Sequence, residues 1–501
     1  MRLIVAAAVV TLVAGCAAAA TLPSRSANAF VSNDLAVRGG TAPRGVAIAF
    51  LLTDGTVLAQ NENPESEWFR LAPDIHGSYQ DGTWTQVGSL PSGYAPNAYA
   101  SQVLADGRLV IIGGEYNQPG NHHPLQLTNL GAIFDPQTNA WTALGHPAGW
   151  QWVGDSPSTM LPDGRMLLGQ KLTKRDAVLD PKSLQWTNVS DASKADFNAE
   201  EGWTLLPDGT VLTADVRDSP NSEIYKPTAG TWTSIGTTVA NLRSPYFGKC
   251  VRYGNLPRDC YHPPGEIGPA ILRPDGTVLA TGASPSAGTN GPAHTAIYHT
   301  TGRLAGRWAA GPVLPGAYGA GDTYAVLTPA GDVLLFLDGG LWLFNGSRFK
   351  NVQTTVGSPL LLPTGELVMF GLGTTFYTPP GKPQARWRPT IGTYPASVVP
   401  GHTYKITGTQ FNGLSQAMAF GDEYQNATSY PLVRITNSSS GNVYYARTHD
   451  HSTMAVATGT KTVWTYFDVP KPVAAGKSTL VVVANGIASQ PVTVDVVTIR
   501  R

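Results

Sequence analysis

The sequence predicts an all-β protein in which a seven-bladed β-propeller is followed by an immunoglobulin-like β-sandwich. The first observation is a six-residue phrase, Pro-Asp-Gly-Thr-Val-Leu, which occurs at residues 207–212 and again at 274–279. Looser copies of the phrase surround Gly55, Gly107, Gly164, Gly331 and Gly365. An Asp-Gly pair between apolar runs predicts a β-hairpin, because glycine adopts the positive φ of a tight turn without strain. Seven such hairpins in one chain indicate a repeat architecture.

The second observation is an aromatic pattern that keeps step with the hairpins. Each hairpin is followed by an aromatic or apolar residue, often by a proline two places on, and then by an aromatic residue, as in Phe134, Pro136 and Trp141. We interpret this pattern as a third strand, a turn and a fourth strand. Four-stranded units that repeat about every 50 residues without helical periodicity are typical of propeller blades. The ring must close by pairing strands from its two ends, and the pattern leaves open which end supplies the closing strand.

Composition narrows the functional classes. The 501 residues carry 34 basic and 34 acidic side chains, and only 14% of the residues are charged. A formal charge of zero argues against nucleic acid or an anionic membrane surface as a partner, because both attract concentrated positive charge. The 55 glycines and 39 prolines are typical of a chain of strands and turns.

The N-terminal residues are predicted to be a targeting segment. Arg2 precedes an apolar run at residues 3–13 that is too short to span a bilayer as a helix. The Val-Ala-Gly-Cys sequence at 13–16 resembles a bacterial lipobox, in which Cys16 would be acylated and anchor the protein to a membrane. Ordinary secretion, with cleavage within 17–20, is the alternative. Residues 1–20 are therefore predicted to be a signal peptide of the lipoprotein type on an exported bacterial protein, and residues 21–38 a linker.

Two further cysteines, Cys250 and Cys260, enclose a short segment between the fourth and fifth blades. In an oxidising compartment the simplest expectation is a local disulfide between them. Two cysteines alone are a poor zinc site, since zinc typically takes about four protein ligands.

The propeller is predicted to occupy residues 39–388 and the sandwich residues 389–501, with a proline-rich boundary at 379–383. The hairpins with their Tyr/Phe-x-Pro…Trp partner resemble kelch-type blades. The combination with a C-terminal sandwich resembles the galactose oxidase and glyoxal oxidase superfamily, and residues 389–501 are similar to that superfamily's C-terminal module. This resemblance implies an architecture and, for the enzymes of the superfamily, a copper site with a Cys–Tyr cross-link, a second Tyr and two His ligands.

The residues of this chain depart from that copper pattern. The inner strand of the third blade starts with Gly154-Asp155-Ser156-Pro157, where the resemblance would place a Cys. The sandwich loop that would carry the last His reads Gly-Asp-Glu-Tyr-Gln-Asn at 421–426. A Tyr-His dipeptide, Tyr261-His262, lies ahead of the fifth blade and lacks these partners. Copper is therefore not the expected cofactor, because Cu(II) favours imidazole donors.

Carboxylates recur instead at the starts of the inner strands. Counting back nine places from the hairpin glycines gives Asp155, Glu200 and Asp322, and in the fifth blade Glu266 lies one place further out. Because inner strands converge on the propeller axis, we expect these four side chains to approach one another. Tyr99 and Glu115 are expected on the same face of the ring.

Three uses of this acidic group remain open. The carboxylates could simply accept hydrogen bonds from nearby backbone N–H groups. They could bind a polar ligand or a cation such as Ca²⁺, with Asp155 and Glu200 as metal ligands. A pair of them could also act as acid and base on a glycosidic bond.

A polar cluster in the sandwich, Arg447 to His451, also has several readings. His449 and His451 would share one side of a strand, which suits a metal site. A polar turn or a hydrogen-bonded cluster at the domain interface is the alternative.

The resulting functional prediction is an exported protein that binds a carbohydrate or another polar extracellular ligand at the mouth of the propeller channel. The alternatives are a divergent copper radical oxidase, a carboxylate-dependent carbohydrate hydrolase or lyase, and a scaffold for other envelope proteins. The expected membrane contact is the lipid anchor alone.

Overall fold

The computed structural model describes residues 37–40, 42–117, 125–189, 193–244, 265–283, 293–316, 319–337, 340–353, 357–371 and 373–498. The predicted signal peptide with Cys16, the cysteines Cys250 and Cys260, and the pair Tyr261-His262 lie outside these residues. Within them the one helical element is a 3-10 turn at Ala385–Trp387. None of the described segments is an apolar helix of the length that a bilayer requires.

Seven antiparallel sheets form the blades of a β-propeller, which confirms the predicted all-β propeller class. In chain order, β1 is Val37–Gly40, and blade 1 contains β2 (Val46–Leu51), β3 (Val57–Asn61), β4 (Trp68–Ala72) and β5 (Thr83–Gln86). Strands β6 (Pro96–Asn97) and β9 (Tyr116–Asn117) form a two-stranded ribbon. Blade 2 contains β7 (Ala100–Val103), β8 (Leu109–Ile112), β10 (Gly131–Asp135) and β11 (Ala140–Leu144). Blade 3 contains β12 (Ser158–Met160), β13 (Met166–Gly169), β14 (Asp176–Leu179) and β15 (Trp186–Val189).

The remaining blades follow the same order from the inner strand outwards. Blade 4 contains β16 (Thr204–Leu205), β17 (Val211–Ala214), β18 (Asn221–Lys226) and β19 (Thr231–Thr237). Blade 5 contains β20 (Ile267–Leu272), β21 (Thr277–Gly282), β22 (Thr295–His299) and β23 (Arg307–Ala310). Blade 6 contains β24 (Ala325–Leu327), β25 (Val333–Leu337), β26 (Gly340–Phe344) and β27 (Phe349–Gln353), and blade 7 contains β28 (Ser358–Leu361), β29 (Leu367–Phe370) and β30 (Thr374–Tyr377).

The recurrent phrase forms the hairpin between the first two strands of each blade. In blade 4, Gly209 has a φ of 86°, and the Asp208 carboxylate accepts a 3.0 Å hydrogen bond from the Thr210 backbone N–H. Blade 5 repeats both features at Gly276 and Asp275. The aspartate therefore closes the turn with its side chain, while the glycine supplies the positive φ that other residues avoid.

The aromatic pattern joins the third and fourth strands. Tyr225 and Trp232 are direct cross-strand partners with ring centroids 5.3 Å apart, and Phe134 and Trp141 repeat the arrangement at 5.2 Å. Both pairs are buried, so they hold the third and fourth strands of these two blades together.

The ring is closed by the N-terminal end of the described chain. Strand β1 pairs antiparallel with β30 and becomes the outermost strand of blade 7. The inner strands of blades 7 and 1 also pack against each other. One blade is thus built from both ends of the propeller sequence, which closes the ring.

The C-terminal residues form a nine-stranded sheet that curls around its own core. Its strands are β31 (Thr390–Thr393), β32 (Ser397–Val398), β33 (Thr403–Thr409), β35 (Leu432–Asn437), β36 (Val443–His449), β37 (Val463–Asp468), β38 (Gly476–Ala484), β39 (Ile487–Ala488) and β40 (Val492–Val496). Strand β36 pairs with β35 over its first half and with β37 over its second half. That change of partner lets Val433, Ile406 and Val482 face one another in the interior.

The C-terminal sheet is attached to the hairpin end of the propeller. The backbone N–H of Thr448 donates to Thr53 O at 3.0 Å, and the N–H of Met454 donates to Pro162 O at 3.1 Å. Arg447 pairs with Asp468 at 2.8 Å and also donates to Asp106 O. The polar cluster noted in the sequence is therefore hydrogen-bonded at the domain interface.

Residues 412–430 leave the C-terminal sheet and enter the central channel, and we call this segment the plug. Its strand β34 (Met418–Ala419) pairs with β24 and adds a fifth strand to blade 6. The Gln416 side chain bonds to blades 3 and 4, through Thr159 and the backbone N–H of Leu205. The Asn426 side chain donates to Ala49 O in blade 1, and the Tyr424 N–H donates to Tyr99 O next to blade 2. The plug thus carries its tip to the channel end opposite the C-terminal sheet.

Candidate functional site

Two repeated positions of the blade bring polar side chains to the channel mouth. An inner strand starts at this end, so Asp155, Glu200 and Asp322 precede β12, β16 and β24 there. The second strand of a blade runs antiparallel and ends here, which places Lys171 just after β13 and Glu115 just after β8. Side chains from distant parts of the sequence therefore meet at one end of the ring.

Lys171 is the centre of the cluster. Its Nζ lies 2.7 Å from Asp155 Oδ2, 2.7 Å from Glu200 Oε1 and 3.0 Å from Asp422 Oδ2. The lysine side chain is 1% exposed, and those of Asp155 and Asp422 are 4% and 2% exposed. An ammonium group has three protons, so these three carboxylates use its whole donor capacity.

The plug supplies two of the carboxyl groups. One oxygen each from Asp155, Glu200, Asp422 and Glu423 lies within 4.8 Å of the other three. Two buried oxygens in this group, Asp155 Oδ1 and Glu423 Oε1, have no hydrogen-bond partner among the described residues. Buried oxygens without partners are costly, so they mark a place where a cation or a proton would be stabilised.

Glu266 and Asp322 extend the cluster towards blades 5 and 6. The backbones of Glu200 and Glu266 meet in a parallel bridge, in which Ile267 N–H donates to Glu200 O at 3.1 Å. Glu266 Oε2 lies against Gly321, where a Cβ atom would approach it to 2.5 Å. Asp322 is buried at the next position, with a φ of 45°.

Burial raises the pKa of every carboxyl group in this cluster. The pKa of Glu200 and that of Glu266 rise to about 7, and those of Asp155 and Asp422 rise to about 6, because burial outweighs the favourable field of Lys171. Burial, followed by the neighbouring charge of Asp422, holds the pKa of Glu423 well above its usual range. A single lysine does not compensate this many carboxylates, so protons or a further cation must do so.

Asp322 and Glu115 share this electrostatic environment. Burial and the nearby Glu266 and Glu200 hold the pKa of Asp322 well above its usual range. Burial, followed by Asp155 and Glu200, does the same for Glu115. The structure thus brings five of the six residues that the sequence pointed to into one electrostatic group. Whether they bind a ligand remains a prediction.

Tyr99 lies apart from the carboxylates. Its hydroxyl donates to Gln60 Oε1 at 2.7 Å, and its ring packs edge-on against Tyr424 with centroids 5.0 Å apart. It is fully buried beneath the plug, where it contributes packing.

Sequence reasoning missed Lys171, Asp422 and Glu423. The sequence pattern gives the Asp422-Glu423 pair no role beyond marking a loop that lacks the histidine of the copper enzymes. The sequence did contain a signal that could have identified Lys171. Few residues of this chain are charged, and Lys171 lies two positions after the second strand of a blade. The same edge in blade 2 carries Glu115, which the sequence analysis did place on the mouth.

A second buried cluster lies in blade 4 and the segment before it. Lys194 Nζ lies 2.9 Å from Glu201 Oε1 and 3.5 Å from Glu223 Oε2. Glu223 also accepts a 2.9 Å hydrogen bond from Ala195 N–H, and the ammonium lies 4.9 Å from the Trp232 ring centroid. These contacts hold the chain before blade 4 against that blade.

The donor set of the channel mouth is made of oxygen. Within the described residues, the group that could hold a metal ion consists of Asp155, Glu200, Asp422 and Glu423, with no histidine or cysteine. Carboxylate oxygens suit hard cations such as Ca²⁺, Mg²⁺ or Mn²⁺, whereas copper favours imidazole and thiolate donors. These residues therefore do not fit a copper centre.

Comparisons with known proteins were made at three levels. No protein-family model and no curated protein matches the sequence. Among solved structures, a fungal alcohol oxidase of the AA5 family in complex with copper is 14% identical, covers 92% of this chain and 98% of its own, and has a TM-score of 0.47. A catalytically inactive virginiamycin B lyase from Staphylococcus aureus with quinupristin is 10% identical, covers 69% of this chain and 100% of its own, and has a TM-score of 0.44. Similarity this low transfers no chemistry from either protein to this chain.

Proposed function

We propose that this chain is an exported propeller protein that binds a hard divalent cation at its plugged channel mouth and recognises a carbohydrate or another polar extracellular ligand there. The single observation behind the proposal is a set of four carboxylates, two at the starts of blades 3 and 4 and two in the plug. Two buried oxygens of this set have no hydrogen-bond partner among the described residues. We also propose that the blades are of the kelch type and that residues 389–501 form an immunoglobulin-like sandwich. The proposal further includes a lipid anchor at Cys16 and a disulfide between Cys250 and Cys260.

The spacing of the oxygens supports a calcium-sized ion. Calcium ligands lie at about 2.3–2.6 Å from the ion, so ligands on opposite sides are about 5 Å apart. The oxygens of Asp155, Glu200, Asp422 and Glu423 lie within 4.8 Å of one another, which matches that span. A divalent cation would also offset the burial and the mutual repulsion that raise the pKa values of these groups.

The proposed ligand approaches from the side of Glu200 and Glu266. These are the two carboxylates of the cluster that are partly exposed, whereas Asp155, Asp422 and Glu423 are buried. A carbohydrate hydroxyl can donate to a carboxylate and can also coordinate a cation through its oxygen. Recognition that depends on the cation follows from this arrangement.

Isothermal titration calorimetry with CaCl₂ and MnCl₂ tests the cation part of the proposal. The mature protein should bind one ion per chain, and Glu423→Gln should weaken binding at least tenfold because it removes a charged ligand. Asp495→Asn is the matched control, since Asp495 is an exposed carboxylate on β40 far from the cluster. Absence of binding by the parent protein, or equal affinities in all three proteins, contradicts the proposal. A glycan panel probed with and without EDTA then tests the ligand part.

A carbohydrate hydrolase or lyase is a second candidate, favoured by one observation. Burial raises the pKa of Glu200 and of Glu266 to about 7, and a carboxyl group with a pKa near neutrality is suited to general-acid catalysis. Release of new reducing ends from polysaccharides, abolished by Glu200→Gln, would support this candidate. If neither the parent protein nor Glu200→Gln releases product from glycans that the protein binds, binding alone is the function.

A further inference from the structure

Lys171 already occupies a cation position in the proposed site. Its ammonium lies within 3.0 Å of oxygens from Asp155, Glu200 and Asp422, and these residues are three of the four proposed ligands. The Lys171 side chain is almost completely buried, so water does not screen its charge. The site therefore holds a built-in monovalent cation.

A divalent ion and this ammonium compete for the same oxygens. An ion placed about 2.3–2.6 Å from Asp155 Oδ2, Glu200 Oε1 and Asp422 Oδ2 would fall in the volume that Nζ fills. Two like charges at that separation in a buried site repel strongly. The remaining oxygens, including Asp155 Oδ1 and Glu423 Oε1, are not bonded to the ammonium and are available to the ion first.

We propose that Lys171 is the resident counter-cation of the channel mouth, and that a divalent cation binds by displacing its ammonium from the shared carboxylates. This inference rests on the proposed function, because it concerns the same four carboxylates. Lys171 thereby sets the affinity of the site and restricts it to ions that outcompete an ammonium group. Hard divalent ions satisfy that condition, and monovalent ions do not.

Displacement also preserves the connection between ring and plug. Lys171 joins Asp155 and Glu200, which belong to the ring, to Asp422, which belongs to the plug. A divalent ion on the same carboxylates would make the same bridge with twice the charge. The plug is therefore expected to stay in the channel whether the ammonium or the ion holds it.

Three substitutions at one position separate charge from shape. Lys171→Met removes the charge and keeps the length of the side chain, Lys171→Gln removes the charge with a polar group, and Lys171→Arg keeps the charge. Calcium affinity, measured by calorimetry, should rise at least tenfold in Lys171→Met and Lys171→Gln and stay within threefold of the parent in Lys171→Arg. Lys194→Met is the control for loss of a buried lysine, because Lys194 pairs with Glu201 and Glu223 in the other cluster. It should leave calcium affinity unchanged.

An NMR measurement on the Lys171 side chain distinguishes displacement of the ammonium from a general effect of its charge. The ¹⁵Nζ resonance of Lys171, assigned by its loss in Lys171→Arg, should shift or exchange-broaden when one equivalent of CaCl₂ is added to the parent protein. A resonance that calcium leaves unchanged while calcium binds contradicts displacement.

The outcomes separate this inference from the proposed function. If the parent binds calcium and Lys171→Met binds it no more tightly, the inference fails and the proposed function stands. If only Lys171→Met and Lys171→Gln bind calcium, Lys171 occupies the site but is not displaced from it, so the inference and the proposed function both fail. If no protein binds calcium, both fail. Where the neutral variants are unfolded in EDTA, calcium should restore their melting transition, and failure to do so at millimolar calcium also overturns the inference.

Discussion

Lys171 of the propeller and Asp422 of the plug form a buried ion pair, with Nζ and Oδ2 3.0 Å apart. The two residues are 251 positions apart in the sequence, and the pair joins the two halves of the molecule at the channel mouth. The same ammonium also contacts Asp155 and Glu200. The stability of the plug and the chemistry of the mouth are therefore linked through one lysine.

Loss of the Asp422 carboxylate should destabilise the protein. Asp422→Ala removes one acceptor from a buried ammonium, and we expect the free energy of unfolding in EDTA to fall by about 1–3 kcal/mol. Urea denaturation measures the change. Asp422→Asn, which keeps an acceptor oxygen, should lose less. An Asp422→Ala protein as stable as the parent contradicts a role for the ion pair in holding the plug.

Close packing between ring and plug gives a second prediction. A Cβ atom on Gly202 would lie 2.4 Å from Gly421 O, so Gly202→Ala forces the backbones apart. We expect a loss of about 1–3 kcal/mol in stability, as for other overpacked cores, together with weaker calcium binding. Gly145→Ala is the matched control, because its added Cβ meets no atom within 4 Å. Thermal denaturation of both variants measures the difference, and equal melting temperatures count against the observed plug position.

The raised pKa values predict how stability depends on pH. Folding lifts the pKa of Asp155 from 3.8 to about 6 and that of Glu200 from 4.5 to about 7. The native state therefore binds more protons than the unfolded state over this interval, so the contribution of these groups to stability is present below about pH 4 and is lost as the pH rises to about 7. In EDTA, the free energy of unfolding of the parent minus that of the double variant Asp155→Asn/Glu200→Gln should fall between about pH 4 and about pH 7. A difference that is flat or rises with pH contradicts the assignment.

Cation binding should show the opposite pH dependence. Asp155, Asp422 and Glu200 must lose protons to become ligands, and their pKa values of about 6 to 7 place that loss near neutrality. Calcium affinity should therefore increase between pH 5 and pH 8, with proton release that calorimetry in buffers of different ionisation enthalpy detects. Affinity that is independent of pH would mean that calcium binds elsewhere.

Much of the fold could be predicted from local chemistry. The Asp-Gly turns could be predicted because the side-chain hydrogen bond of Asp208 and the positive φ of Gly209 act within a few residues. The strand that pairs with β1 could not be predicted from the sequence. Ring closure pairs Val37–Gly40 with Thr374–Tyr377 across the whole ring, and a four-residue strand has too short a sequence pattern to indicate its partner. The inward carboxylates followed from the repeat, because equivalent positions in successive blades face the same axis.

The plug carboxylates depended on structure that no repeat encodes, whereas Lys171 stands at a repeated position whose residue type the repeat does not fix. Asp422 and Glu423 belong to a plug outside the repeats, and its path through the channel is set by contacts such as that of Tyr424 N–H with Tyr99 O. Lys171 reaches the carboxylates because β13 ends at the mouth, which depends on the strand directions of one blade. The sequence pattern therefore predicted the ring carboxylates of the cluster but neither its plug carboxylates nor its cation.

Anomalous diffraction from crystals of the mature protein soaked in Mn²⁺ tests the central claim most directly. We predict one strong anomalous peak at the channel mouth, within about 2.5 Å of oxygens from Asp155, Glu423 and at least one of Glu200 and Asp422. The Lys171 ammonium should have moved away from the carboxylates that the ion contacts. A mouth without an anomalous peak at saturating Mn²⁺, with Lys171 still bound to Asp155, Glu200 and Asp422, would contradict the cation site.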